Sequence, residues 1–107
     1  METERIELGE NWWTVKKKLT IGAQRASEAL SAPYFDKDLS PEAQNEAIPI
    51  LIRLEMGRTM VLKSTAEWSY GPVTQEVFDN EVPDNDFSVV LQRCNELYSS
   101  VPLAVGS

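Results

Sequence analysis

The sequence predicts an α+β domain, mainly α-helical, in which an N-terminal β-hairpin packs on three to four helices. Three observations carry that reading. Residues 5–8 and 12–19 alternate well enough for two short strands, with Gly9-Glu10-Asn11 as the turn between them. Beyond them, Thr20, Ser40 and Thr74 are placed to cap helices. From Asp84 to about Ser99, the residues Phe87, Val90, Leu91, Cys94, Leu97 and Tyr98 recur at helical spacing on one face. A wholly helical fold with an extended N-terminal arm is the alternative. At 107 residues and 42% hydrophobic side chains, the chain is one domain with one modest core. We assign the domain to residues 1–100 and read residues 101–107, which are uncharged and apolar, as a flexible C-terminal tail.

Side chains in the hairpin alternate between its two faces. Trp13 and Val15 share the face expected in the core, while Trp12, Thr14, Lys16 and Lys18 share the other, which leaves Trp12 as an exposed anchor. The helix from Thr20 to about Ser31 has only Ala23, Ala26 and Leu30 on its apolar side, so it must lean on something larger to be stable. Residues Ala32 to Asp38 break the helical pattern and read as a loop carrying Tyr34 and Phe35. Ser40-Pro41-Glu42 combines a capping serine, proline at the first helical position and an early acid. The helix it opens runs to about Trp68, with Pro49 either kinking it or setting off a short separate helix at its start. Past Pro49, Ile52, Met56 and Met60 recur every fourth position and Leu51, Leu54, Val61 and Leu62 widen the apolar side, the pattern of a central core helix. The expected core therefore includes Trp13, Trp68, Ile52, Leu54, Met56, Val90 and Leu91.

Composition excludes more chemistry than it suggests. With 17 acidic against 10 basic side chains the net charge is −7, which disfavours adhesion to nucleic acid or to an anionic bilayer. The one basic run, Lys16-Lys17-Lys18, is short and reads as a solvated strand edge. There is no histidine, so histidine-based triads are excluded and the commonest zinc ligand is missing. The five glycines form no phosphate-binding pattern. Asp36 and Asp38 alternate as if in a loop, and Asp84 with Asp86 fits an acidic first helical turn that the helix dipole explains. Cys94 is alone, falls on the apolar face of the last helix and reads as buried and structural. No signal peptide or long apolar run is evident, so a reducing cytoplasm is the expected compartment. We expect no catalytic residue, no cofactor, no metal, no nucleic-acid partner and no membrane association.

The stretches Trp12 to Gly22, Trp68 to Thr74 and Phe87 to Leu97 carry a resemblance. Together they resemble a family of small tailed-phage proteins, the tail assembly chaperones. In that family a Trp-Val-x-Val/Leu-Arg/Lys strand leads into Leu-Thr-x-Gly and a helix. A longer middle helix then ends in a Trp-Ser segment, followed by a Pro-Val-Thr cap and a terminal helix with a Phe near its start. The family often carries Asp or Glu after the glycine, where Ala23 stands here. The resemblance implies a protein that binds the hydrophobic tape measure protein in the host cytoplasm, keeps it soluble and helps tail tube subunits polymerise around it.

From position alone, the client surface is expected on Trp12, Tyr34 and Phe35, with Tyr70 as a fourth member, because apolar bulk on a hairpin face and in a loop suits partner binding. Homo-oligomerisation is left open. Two other readings stand beside the chaperone. A head-tail connector or tail terminator subunit would use the basic Lys16-Lys17-Lys18 run against the acidic Asp79-Glu81-Asp84-Asp86 region to close a ring. An acidic DNA mimic would need dense rows of carboxylates, whereas the acids here are interrupted by lysines and apolar stretches.

Overall fold

A computed structural model describes the backbone of residues 2–106 and the side chains of residues 2–99. The fold is α+β and mainly α, with a three-stranded antiparallel sheet and, among the described residues, five α-helices. Strand β1 (Thr3–Leu8) and strand β2 (Asn11–Lys16) form the expected hairpin. Its loop is tighter than the three-residue turn expected, because Asn11 pairs with Leu8 and leaves only Gly9 and Glu10 outside the ladder. Gly9 has φ +73°, a left-handed value that a primed two-residue turn needs at its first position and that glycine adopts without steric cost.

Three hydroxyls cap three helices as the sequence suggests. Thr20 Oγ1 accepts from the Ala23 N–H at the start of α1 (Ile21–Ser31), and Ser40 Oγ accepts from Ala43 at the start of α2 (Pro41–Ala47). Thr74 Oγ1 accepts from Val77 at the start of α4 (Gln75–Glu81). Helix α3 covers Ile50–Ser64 and α5 covers Asp84–Gly106. The expected flexible tail at residues 101–107 falls on residues whose side chains lie outside those described. Within the loop expected between α1 and α2, Ala32–Tyr34 forms a 3₁₀ turn.

Two breaks have one cause. A residue before proline is pushed out of the α region, and both Ile48 (φ −79°, ψ 122°) and Val82 (φ −87°, ψ 118°) are extended directly before Pro49 and Pro83. Pro49 thus separates α2 from α3 and does not kink one long helix. Pro83 likewise separates α4 from α5.

The expectation that the central helix reaches Trp68 is corrected. Helix α3 stops at Ser64, Thr65 turns extended (φ −77°, ψ 124°), and Thr65–Trp68 forms strand β3. It pairs antiparallel with β2, setting Trp68 opposite Trp13, with an irregularity between Thr14 and Val15. The strand order is β1-β2-β3, so β2 is central. Lys16 therefore ends an inner strand, and the lysine run is not a sheet edge.

The core collects where the sheet meets the end of α3, α4 and α5: Trp13, Val15, Val61, Trp68, Phe78, Val90 and Cys94 are buried together. Trp13 and Val15 face inward as their alternation predicts. The Trp13 indole meets Trp68 edge to face at 5.0 Å between centroids, Tyr70 at 5.9 Å and Phe78 at 6.4 Å. Its buried N–H donates to Thr65 Oγ1 at 2.8 Å, and that hydroxyl donates to the Val61 carbonyl at 2.8 Å. Placing Leu54 in the core is also corrected, since it is 49% exposed, and Ile52, Met56 and Leu91 are only half-buried. The reason is that the sheet and α5 reach only the later turns of α3, so Val61 and Ser64 are the buried residues of that helix.

Trp13→Ala should cost about 3–5 kcal/mol, read as a fall in the urea midpoint at unchanged slope. Ser64→Ala should behave in the opposite way. Ser64 Oγ is fully buried beside Tyr98, whose hydroxyl donates to the Lys16 carbonyl, and it makes no well-formed hydrogen bond among the described residues. Removing a desolvated hydroxyl without a good partner should leave the thermal midpoint unchanged or raise it.

Candidate partner-binding surface

The four residues expected to bind a partner are not gathered in one place. Tyr70 follows β3 in a turn, stacks edge to face on Trp13 and on Trp68 at 5.6 Å, and its hydroxyl donates to Asp86 at 2.6 Å. Burial, then the adjoining Asp86 carboxylate, raises its pKa well above that of a free tyrosine. Tyr70 therefore fastens the turn to the first turn of α5. Trp12 lies on the outer face of the sheet, half-buried, with the Arg5 guanidinium 4.5 Å from its ring centre and its main-chain N–H bonded to Ser69 Oγ. It presents a cation-covered ring.

Tyr34 and Phe35 do come together. They line a groove of about 240 Å³ with Ser31, Gln44, Asn45, Ile48 and Met56, between the 3₁₀ turn, α2 and α3. Phe35 is 71% exposed, and Tyr34 is half-buried. The loop that holds them is fixed locally. Gln44 accepts from the Asp36 N–H through its carbonyl oxygen and donates to the Asp36 carbonyl through its amide, and Asp36 Oδ1 accepts from the Asp38 N–H. These bonds give the Asp36-Lys37-Asp38 alternation a structural role.

A second apolar surface was not expected. Ile50, Leu51 and Leu54, one, two and five residues past Pro49, share one face of α3 and are 65%, 71% and 49% exposed. Met56 lies on a different side of that helix. The first half of α3 is thus apolar on two sides, one lining the Phe35 groove and one open. The signal was in the sequence, as an apolar side too broad for a single contact, but it does not say which side is covered.

Titratable groups elsewhere serve the fold. Cys94 is buried and its thiol is pushed up to about 11, chiefly by that burial, which leaves little thiolate at neutral pH. Burial likewise pushes Tyr98 up to about 12. Among the described residues no group of three or more Cys, Asp or Glu side chains could hold a metal ion, and no helix is long and apolar enough to cross a membrane. Comparison with protein-family models, with curated proteins and with solved structures gave no match.

One ion pair ties the two ends of the chain. Arg93 on α5 holds Glu4 on β1 through two bonds, Nε to Oε2 at 2.6 Å and Nη2 to Oε1 at 2.9 Å. That hydrogen bonding holds the Glu4 carboxyl below the usual 4.5 of glutamate. A depressed carboxyl stabilises the fold fully above the unfolded pKa and stops doing so as the pH falls through its folded value. Glu4→Gln should therefore be less stable than the wild type at neutral pH, with the difference shrinking as the pH drops below 4.5, measured as urea midpoints across a pH series.

Proposed function

We propose that the protein is a non-catalytic binding module that covers apolar helices of a client, and that it acts as a tail assembly chaperone. The observation that carries the binding reading is the open row Ile50, Leu51 and Leu54 on α3, since contiguous exposed apolar side chains on a soluble domain mark an interaction site. Helix α3 is a firm platform for such a row. Its last turns are locked into the core through Val61 and Ser64, and α1 packs along it.

The identity of the client rests on the resemblance in residues 12–22, 68–74 and 87–97, which points to the tape measure protein, with the tail tube protein as a second partner and the host cytoplasm as the place. A net charge of −7 suits this work, because it keeps a complex with an apolar client in solution. The client would lie as an amphipathic helix against α3, reading Ile50, Leu51 and Leu54 at i, i+1 and i+4. Phe35 extends the apolar area on the other side of that helix.

Leu51→Asp with Leu54→Asp should stay folded, since Leu51 is 71% and Leu54 49% exposed and neither belongs to the buried core, and should abolish co-purification with co-expressed tape measure fragments. Phe35→Ala should weaken that capture without abolishing it. Unchanged capture by the double variant would exclude this face. Presence of the protein at stoichiometric level in purified virions would exclude the chaperone role, because a chaperone leaves the finished particle.

A further inference from the structure

Strand β1 is the first strand of the order β1-β2-β3, so one of its two edges faces no strand among the described residues. The direction of its main-chain groups follows from the ladder. Lys17 N–H donates to the Glu2 carbonyl at 3.0 Å, which makes that pair a hydrogen-bonded one, and bonded and non-bonded pairs alternate along an antiparallel ladder. Glu4, Ile6 and Leu8 thus direct their N–H and C=O groups at β2, opposite Val15, Trp13 and Asn11. Thr3, Arg5 and Glu7 direct theirs away from the sheet.

This edge is complementary to itself. Arg5 and Glu7 carry opposite charges, share the outer face of the sheet and are exposed, with Arg5 Nε 2.6 Å from Glu7 Oε2. In an antiparallel pairing of β1 with β1 of a second copy, the register that sets Ile6 opposite Ile6 sets Arg5 opposite Glu7 on both sides of the axis. Those are the residues whose main-chain groups point outward, so both pairs would be hydrogen-bonded pairs with opposite charges facing. Registers shifted by two residues face Arg5 with Arg5 or Glu7 with Glu7. Registers shifted by one set outward-directed residues against inward-directed ones and turn the apolar face of the partner to the wrong side.

The inner side of the edge fits the same axis. A groove of about 350 Å³ lies between β1 and α5, lined by Glu4, Ile6, Val89, Gln92, Arg93 and Glu96, and Val89 is 50% exposed. In the Ile6-to-Ile6 register, the Ile6 and Val89 side chains of both copies collect beside the two-fold axis. We propose that the protein dimerises through β1, antiparallel and with Ile6 opposite Ile6, joining the two three-stranded sheets into one. The pairing rests on the sheet edge and is independent of the client reading above.

The test is sedimentation equilibrium on the full chain. The wild type sediments at twice the chain mass at submillimolar concentration, Arg5→Glu sediments as a monomer, and Arg5→Glu combined with Glu7→Arg restores the dimer. Arg5→Pro also gives a monomer, because it removes an outward N–H and leaves the β1–β2 ladder intact. A monomeric wild type overturns the proposal, including one whose edge instead accepts a strand from another protein. So does a dimer that Arg5→Glu leaves intact, or a swapped pair that fails to restore it. If the variants unfold, amide exchange on the wild type decides: Arg5 and Glu7 amides that are protected when concentrated and released on dilution support the dimer, and exchange independent of concentration overturns it.

Discussion

The buried indole of Trp13 is the constraint on which the rest of the structure depends. A tryptophan at 0% exposure must find a partner for its N–H, and the one it finds is the hydroxyl of Thr65. Thr65 passes the bond to the Val61 carbonyl, one turn back in α3. Through two 2.8 Å bonds the central strand of the sheet is thus joined to the point where α3 ends and β3 begins. Trp68, Tyr70 and Phe78 then pack around the same ring, and with them come β3, the following turn and α4.

That arrangement divides the chain into a well-packed part and a thinly covered part. The seven buried members of the main cluster come from β2, the end of α3, β3, α4 and α5. Helix α2 has no buried residue and α1 has only Ala23, so α1, α2 and the first turns of α3 lie mostly outside the core. They stay in place by packing α1 along α3 and by their hydroxyl caps, and they leave Phe35, Ile50 and Leu51 in solvent. A domain of this size cannot cover every apolar side chain. Here the uncovered ones include Ile21, Phe35, Val73 and Val89 as well as the row Ile50, Leu51 and Leu54 at the start of α3.

As proposed, the sheet edge and the helix row would place two different kinds of recognition on one small protein. Under the proposed function the apolar row on α3 would meet another helix by shape. In the proposed dimer the charged β1 edge would set the register through the opposite signs of Arg5 and Glu7. Arg93 connects the two ends of the chain by holding Glu4, so the edge strand is anchored to α5 while its outer groups remain free to pair.

Local signals in the sequence determined a good deal: the hairpin, the inward face of Trp13 and Val15, the starts of α1, α2 and α4, and the apolar face of α5 with its buried Cys94. Each of these depends on a pattern a few residues long, such as a two-residue alternation, a hydroxyl three residues before an N–H it can accept from, or a 3.6-residue spacing. Only the tertiary structure decided that α3 ends at Ser64, that Thr65–Trp68 is a strand, that Tyr70 is bound into the core by Asp86, and that Leu54 is exposed while Val61 is buried. Thr65-Ala66-Glu67-Trp68 can continue a helix as far as spacing is concerned, and it becomes a strand because β2, some fifty residues earlier, offers an open ladder and an indole needing the Thr65 hydroxyl. A helix that is apolar on several sides cannot announce which side its neighbours will cover. That depends on where the sheet stops, and contacts between residues far apart in the chain leave no periodic trace in either segment.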